Sequence, residues 1–127
     1  MKTLVKPILL IITLLLVGCG VADGGRVTAR ELLKQYPEED IFQFEGRIFG
    51  NVTEVEWVKQ KTSSYTKRDL LGKIKYQSTK RFGFKDLQAT KLPVGTKFYS
   101  TSEEGYGGFL IVEIDGEEYF YLEMLEG

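Results

Sequence analysis

The sequence predicts an α+β fold, mostly antiparallel β: a short N-terminal helix, then a small barrel or sandwich, then a C-terminal β-hairpin. Three observations predict it. Short apolar segments recur after residue 40 between Gly, Pro, Asn and Asp turn signals, the pattern of many short strands. A helical period precedes them at residues 28–36. Near the end, Asp115-Gly116 divides two apolar runs, and Asp-Gly tolerates the positive φ angles of a two-residue type I′ turn.

The helix is expected at residues 28–36. Thr28 and Glu31 have capping-box spacing, Leu32, Leu33 and Tyr36 can share an apolar face, and Pro37 stops the run. Residues 41–49 read as a strand with a bulge or bend at Gly46, and Gly50-Asn51 as a turn. Residues 52–59 alternate imperfectly around Val55, Trp57 and Val58 and read as a strand. Residues 71–79 carry Ile74, Tyr76 and Ser78 at period two and read as another. Leu92-Pro93-Val94-Gly95 is a turn signal before a short strand at 96–100. In the last hairpin, Leu110, Val112 and Ile114 are expected to share a face with Phe120, Leu122 and Met124. Tyr119 and Tyr121 would then lie on the opposite face as an exposed aromatic strip, the first candidate partner surface.

The chain opens differently. Lys2 and Lys6 precede an apolar run at residues 8–17, broken by Thr13. Ten helical residues span about 15 Å, half a bilayer core, which is signal-peptide length. An ordinary secretory signal or a short uncleaved anchor would also fit that run. It ends in Leu16-Val17-Gly18-Cys19, which closely resembles the lipobox of bacterial lipoproteins. The resemblance implies a diacylglyceryl group on Cys19 and cleavage after Gly18, with Leu16, Val17 and Gly18 recognised by the signal peptidase. It divides the chain into a signal peptide (1–18), a lipidated cysteine with a flexible tether (19–27) and one extracytoplasmic domain (28–127). Removing 18 of the 127 residues leaves 109, enough for one core and too few for two ordinary domains. The stretches at 40–59 (DIFQFEGRIFGNVTEVEWVK), 89–99 (ATKLPVGTKFY) and 121–127 (YLEMLEG) are similar to small uncharacterised lipoproteins of Gram-positive bacteria. That likeness supplies no activity. The C-terminal part also resembles an SH3-type small barrel, a likeness of fold that carries no function.

Composition narrows the chemistry. The chain has no histidine and one cysteine, so it lacks the parts of a Ser-His-Asp or Cys-His nucleophile, a Cys/His zinc site or an intrachain disulfide. No Asp-rich calcium loop is present. Gly105-Tyr106-Gly107-Gly108 lacks the Gly-Lys-Thr ending of a phosphate loop and reads as the tip before the last hairpin. The C-terminal acids fall at hairpin positions expected to face solvent, which suits solubility better than a carboxylate-pair hydrolase. No catalytic residue, metal or cofactor is expected.

Charge is segregated. From Lys59 to Lys85 there are nine basic residues and one acid; after Lys97 there are eight acids and no base. Without Lys2 and Lys6 the chain carries 15 basic against 18 acidic side chains, a net of −3 that does not suggest nucleic acid. Neighbouring strands could pair the two signs across the surface. Alternatively, Lys73, Lys75, Lys80 and Arg81 could form one basic side that meets anionic headgroups, an acidic wall polymer or an envelope protein. The expected function is a non-catalytic binding module of the cell envelope, anchored by lipid on the outer face of the membrane. The alternative is a surface inhibitor or immunity protein against a secreted toxin or hydrolase.

Overall fold

A computed structural model describes residues 27–102 and 105–125. The Leu16–Cys19 motif and residues 20–26 lie outside them. Helix α1 (Ala29–Gln35) forms where its cap predicts: Thr28 is extended, and its Oγ1 accepts a hydrogen bond from the Glu31 N–H at 3.3 Å. Its apolar face, Ala29 and Leu33, packs on Ile41 and Ile48, with Leu32, Phe84 and Met124 around them.

Strands β1 (Ile41–Phe44) and β2 (Arg47–Asn51) pair antiparallel. Glu45 and Gly46 between them have φ of 51° and 74°. The expected bend in a single strand is therefore a second two-residue hairpin turn, and both its residues are left-handed as a type I′ turn requires. Gly50 and Asn51 lie inside β2 rather than at a turn. Gly50 leaves room there for the Met124 side chain, whose Sδ would lie 2.7 Å from a Cβ and would have to shift.

The strand expected at 52–59 is corrected. A turn leads into helix α2 (Glu56–Lys61) and a 3₁₀ turn at Thr62–Ser64. Val52, Val55 and Val58 recur every third residue, a helical spacing that their β-branched side chains mask. Val58 is buried on Phe109, Ile111 and Phe120.

The remaining strands are β3 (Leu70–Lys73), β4 (Tyr76–Gln77), β5 (Gln88–Ala89), β6 (Lys97–Ser102), β7 (Gly105–Ile114) and β8 (Glu117–Glu123). The glycine-rich stretch read as a tip thus begins a strand. The eight strands form one sheet in the order β3-β6-β7-β8-β2-β1-β5-β4, antiparallel except for the β4–β5 pair. The single strand expected at 71–79 supplies both edges of this sheet, β3 at one and β4 at the other. Only Ile74 and Lys75 separate them, and the three Cα–Cα steps from Lys73 to Tyr76 span at most about 11 Å. The edges must therefore curl toward each other, and the sheet is a half-barrel.

The concave side holds an aromatic core. Phe42 stacks near Phe98, Tyr121 and Phe49 at centroid distances of 4.9, 5.3 and 5.4 Å, with Ile74, Leu110 and Val112 filling the remainder. The convex side is covered by α1 at one part and α2 at another. Asp115 (φ 51°) and Gly116 (φ 83°) make the expected β7–β8 turn. That turn pairs Leu110 with Tyr121 and Val112 with Tyr119, while Phe120 and Leu122 oppose Ile111 and Phe109. The expected face assignment is reversed. Both faces of this hairpin are apolar, so alternation could not choose between them, and the turn length did.

Candidate functional site

The hairpin tyrosines are not an exposed strip. Tyr121 is fully buried in the concave core, and its hydroxyl donates to Asp40 Oδ1 at 2.9 Å. Asn51 Nδ2 donates to the other carboxylate oxygen at 3.0 Å, and Asn51 Oδ1 accepts from the N–H and the hydroxyl of Thr53. The network ties the start of β1, the end of β2 and β8 together. Burial, then the adjacent Asp40 carboxylate, raises the Tyr121 pKa far above the usual phenol range. Tyr119 is half-buried beside it; its hydroxyl donates to Glu117 Oε2 at 2.8 Å, which holds its pKa above the ordinary tyrosine value. Tyr121 therefore belongs to the core and is removed from the partner surface.

The most exposed aromatic among the described residues lies elsewhere, in the loop between β4 and β5. Arg81-Phe82-Gly83-Phe84 turns at Gly83 (φ 70°) and gives its two phenyl rings unlike surroundings, Phe82 exposed and Phe84 partly buried. Phe84 packs under α1 with Leu33 and Ile48. Phe82 is 60% exposed. The Arg81 and Arg30 guanidinium carbons stand 4.7 and 4.9 Å from its ring centroid, so the ring is held between two cations.

The base of the loop is fixed by two polar side chains. Buried Gln88 donates through Nε2 to the carbonyls of Ser78 and Lys80, at 3.3 and 3.4 Å, and accepts from the Lys85 N–H at 3.3 Å. It clamps both limbs. Asp86 Oδ1 accepts from Gln43 Nε2 and from the Gly46 N–H, both at 2.9 Å, and ties the loop to the β1–β2 turn. The tip is thus presented from a braced base.

Shallow clefts flank this loop. One of about 360 Å³ is lined by Val27, Arg30, Gln43, Arg81 and Phe82 among others. Another of about 410 Å³ is lined by Lys75, Tyr76, Lys80, Phe82, Lys85 and Val94 among others. Lys85 Nζ lies 4.0 Å from the Tyr76 ring centroid. Of the basic residues singled out from the sequence, Lys75, Lys80 and Arg81 converge here. Lys73 does not; it lies in β3 opposite Lys97. The predicted pairing of basic and acidic segments is realised locally: Lys67 binds Glu113, whose carboxylate raises the Lys67 pKa, and Lys97 faces Glu113 across the β6–β7 ladder.

Phe82, Arg30 and Gln88 were not among the residues singled out from the sequence. The available signal was the interleaving of two Phe with Lys80, Arg81 and Lys85 around a glycine. Tyr36, Tyr76 and Trp57 are exposed as well; Trp57 on α2 is 49% exposed and rests against Phe109 at 5.9 Å. Among the described residues no His, Cys, Asp or Glu gather as a metal site, and no helix is long and apolar enough to cross a membrane. No family model, no curated protein and no solved structure matches the chain.

Proposed function

We propose that this chain is a lipid-anchored protein of the bacterial cell envelope, and that its half-barrel domain is a non-catalytic binding module. The observation that carries the reading is the order of parts. A short apolar run ends in Leu16-Val17-Gly18-Cys19, and the described fold begins at Val27 with the capped helix α1, eight residues after the cysteine. A diacylglyceryl group on Cys19 gives two acyl chains, enough for stable anchoring where one chain holds only marginally. The module then stands on the extracytoplasmic face. The braced, solvent-facing loop around Phe82 supports binding as its role.

Mass spectrometry of the protein recovered from bacterial membranes tests the anchor. The expected N-terminus is Cys19 carrying a diacylglyceryl group, and Cys19→Ala is expected to leave an uncut, unacylated precursor. An N-terminus at another residue without lipid would refute the reading. The second reading, an inhibitor or immunity protein against a secreted toxin or hydrolase, is favoured by exposed Trp57, a residue type enriched at protein hot spots. It predicts that a captured lytic enzyme is released by Trp57→Ser and retained by Phe82→Ser.

A further inference from the structure

An anionic bilayer offers phosphates at its surface and hydrocarbon beneath, and a peripheral domain engages it with cations surrounding an exposed apolar side chain. The loop tip has that composition. Phe82 projects between Arg30 and Arg81, and exposed Lys75, Lys80 and Lys85 surround the adjoining cleft. None of these five cations is ion-paired with a carboxylate of the described residues. Of the nearby acids, Asp86 is engaged by Gln43 and Gly46, and Glu38 by Lys91.

The place of Val27 makes the occupant specific. Val27, the first described residue, lines the same cleft as Arg81 and Phe82. Cys19 lies eight residues earlier, a reach of at most about 28 Å. The chain coming from a lipid on Cys19 therefore joins the described domain at Val27, beside Phe82 and its cations. We propose that this face docks on the anionic headgroups of the bilayer that holds the anchor. Phe82 enters the headgroup boundary, and Arg30, Lys75, Lys80, Arg81 and Lys85 meet lipid phosphates. The inference rests on the lipoprotein reading for its geometry, and the domain thereby has a fixed orientation, with α2 and Trp57 left for other contacts.

The test uses the mature chain from Gly20 to Gly127 made without lipid. The described core clusters all lie between Ala29 and Met124, so this chain carries the whole described fold. Co-sedimentation is measured at low salt with phosphatidylglycerol-containing vesicles and with pure phosphatidylcholine vesicles. Binding to the anionic vesicles is expected to fall more than about tenfold on joint Lys80→Glu and Arg81→Glu. Phe82→Ser, which leaves net charge unchanged, is expected to lower it about fivefold. Joint Lys59→Glu and Lys61→Glu on α2, an equal charge change, is expected to alter it by less than about twofold. Equal losses from both reversals, or full binding by Phe82→Ser, would overturn the docking face. So would tighter binding to soluble polyglycerol phosphate that ignores Phe82, which would make the face a polymer site. Cys19 acylation is read separately, by mass. An acylated protein whose variants bind vesicles unchanged refutes the face and leaves the anchor standing. An unacylated one refutes the anchor while the vesicle result still decides the face.

Discussion

Tyr121 and Phe82 are both aromatic residues with charged side chains within three positions on either side (Glu118 and Glu123; Arg81 and Lys85), and the fold treats them oppositely. Tyr121 sits on a central strand whose two faces are both covered, the concave one by Phe42 and the convex one by α2. Phe82 sits on a turn whose other ring, Phe84, supplies the apolar packing against α1, while Phe82 meets that helix at the Arg30 guanidinium. The β7–β8 hairpin is specified by what surrounds it on every side. The β4–β5 loop is specified at its base, by Gln88 and Asp86, and left open at its tip. In a small half-barrel an aromatic on a central strand is therefore core, and one exposed beyond a braced turn is available to a partner.

Substitution of each ring to alanine gives the largest test of this contrast. Tyr121→Ala is expected to lose about 3–5 kcal/mol in urea unfolding, because the core cannot collapse onto so large a void. Phe82→Ala is expected to stay within about 0.5 kcal/mol. A comparable loss at both sites would place Phe82 in the core and remove the contrast.

Removing only the Tyr121 hydroxyl sharpens the comparison. Tyr121→Phe is expected to cost about 1.5–3 kcal/mol, since the Asp40 carboxylate loses one donor and keeps Asn51. The pH dependence has a definite sign. The Tyr121 pKa is raised in the folded state, so its contribution is complete below the unfolded value near pH 10 and is lost as pH rises above it. The slope from this one group reaches about −1.4 kcal/mol per pH unit. Urea midpoints for the parent and Tyr121→Phe should therefore converge above about pH 10; parallel curves would mean the hydroxyl is solvated.

Gln88 tests the base of the loop. Gln88→Ala is expected to cost about 1–2 kcal/mol and to speed hydrogen exchange at the Lys85 amide, while the Leu110 and Tyr121 amides keep their protection. Unchanged exchange at Lys85 would show that the loop is held by other means.

What was legible in the sequence follows the same division. Local signals were readable: the Thr28–Glu31 cap, the Asp115-Gly116 turn and the density of short strands each act within a few residues. The Glu45-Gly46 turn was read as a bend, because Glu is an uncommon left-handed residue and gives no turn signal. Helix α2 was hidden by valines, and the hairpin faces by apolar residues on both sides. At the candidate site, Lys75, Lys80 and Arg81 were legible as charge. Phe82 was not, because Phe82 and Phe84 are the same residue type two positions apart, and only the packing of α1 decides which is covered. Arg30 reaches the ring from a helix far away in sequence, a juxtaposition that no local pattern encodes.

The smallest effect compares equal strain in the two regions. Gly116 (φ 83°) and Gly83 (φ 70°) are both left-handed, and a Cβ at either meets nothing within 4 Å. Alanine therefore introduces backbone strain and no clash at both, about 1 kcal/mol intrinsically. In the hairpin that strain cannot be relieved without breaking the Ile114–Glu117 pairing, so Gly116→Ala should lower global stability by the full amount. At the loop tip the chain can adjust without disturbing the sheet, so Gly83→Ala should cost about half as much or less in urea unfolding. Its effect should appear instead as altered backbone resonances around Phe82. Equal global losses would mean that the tip is as tightly specified as the hairpin, and that Phe82 is held in place by more than its braced base.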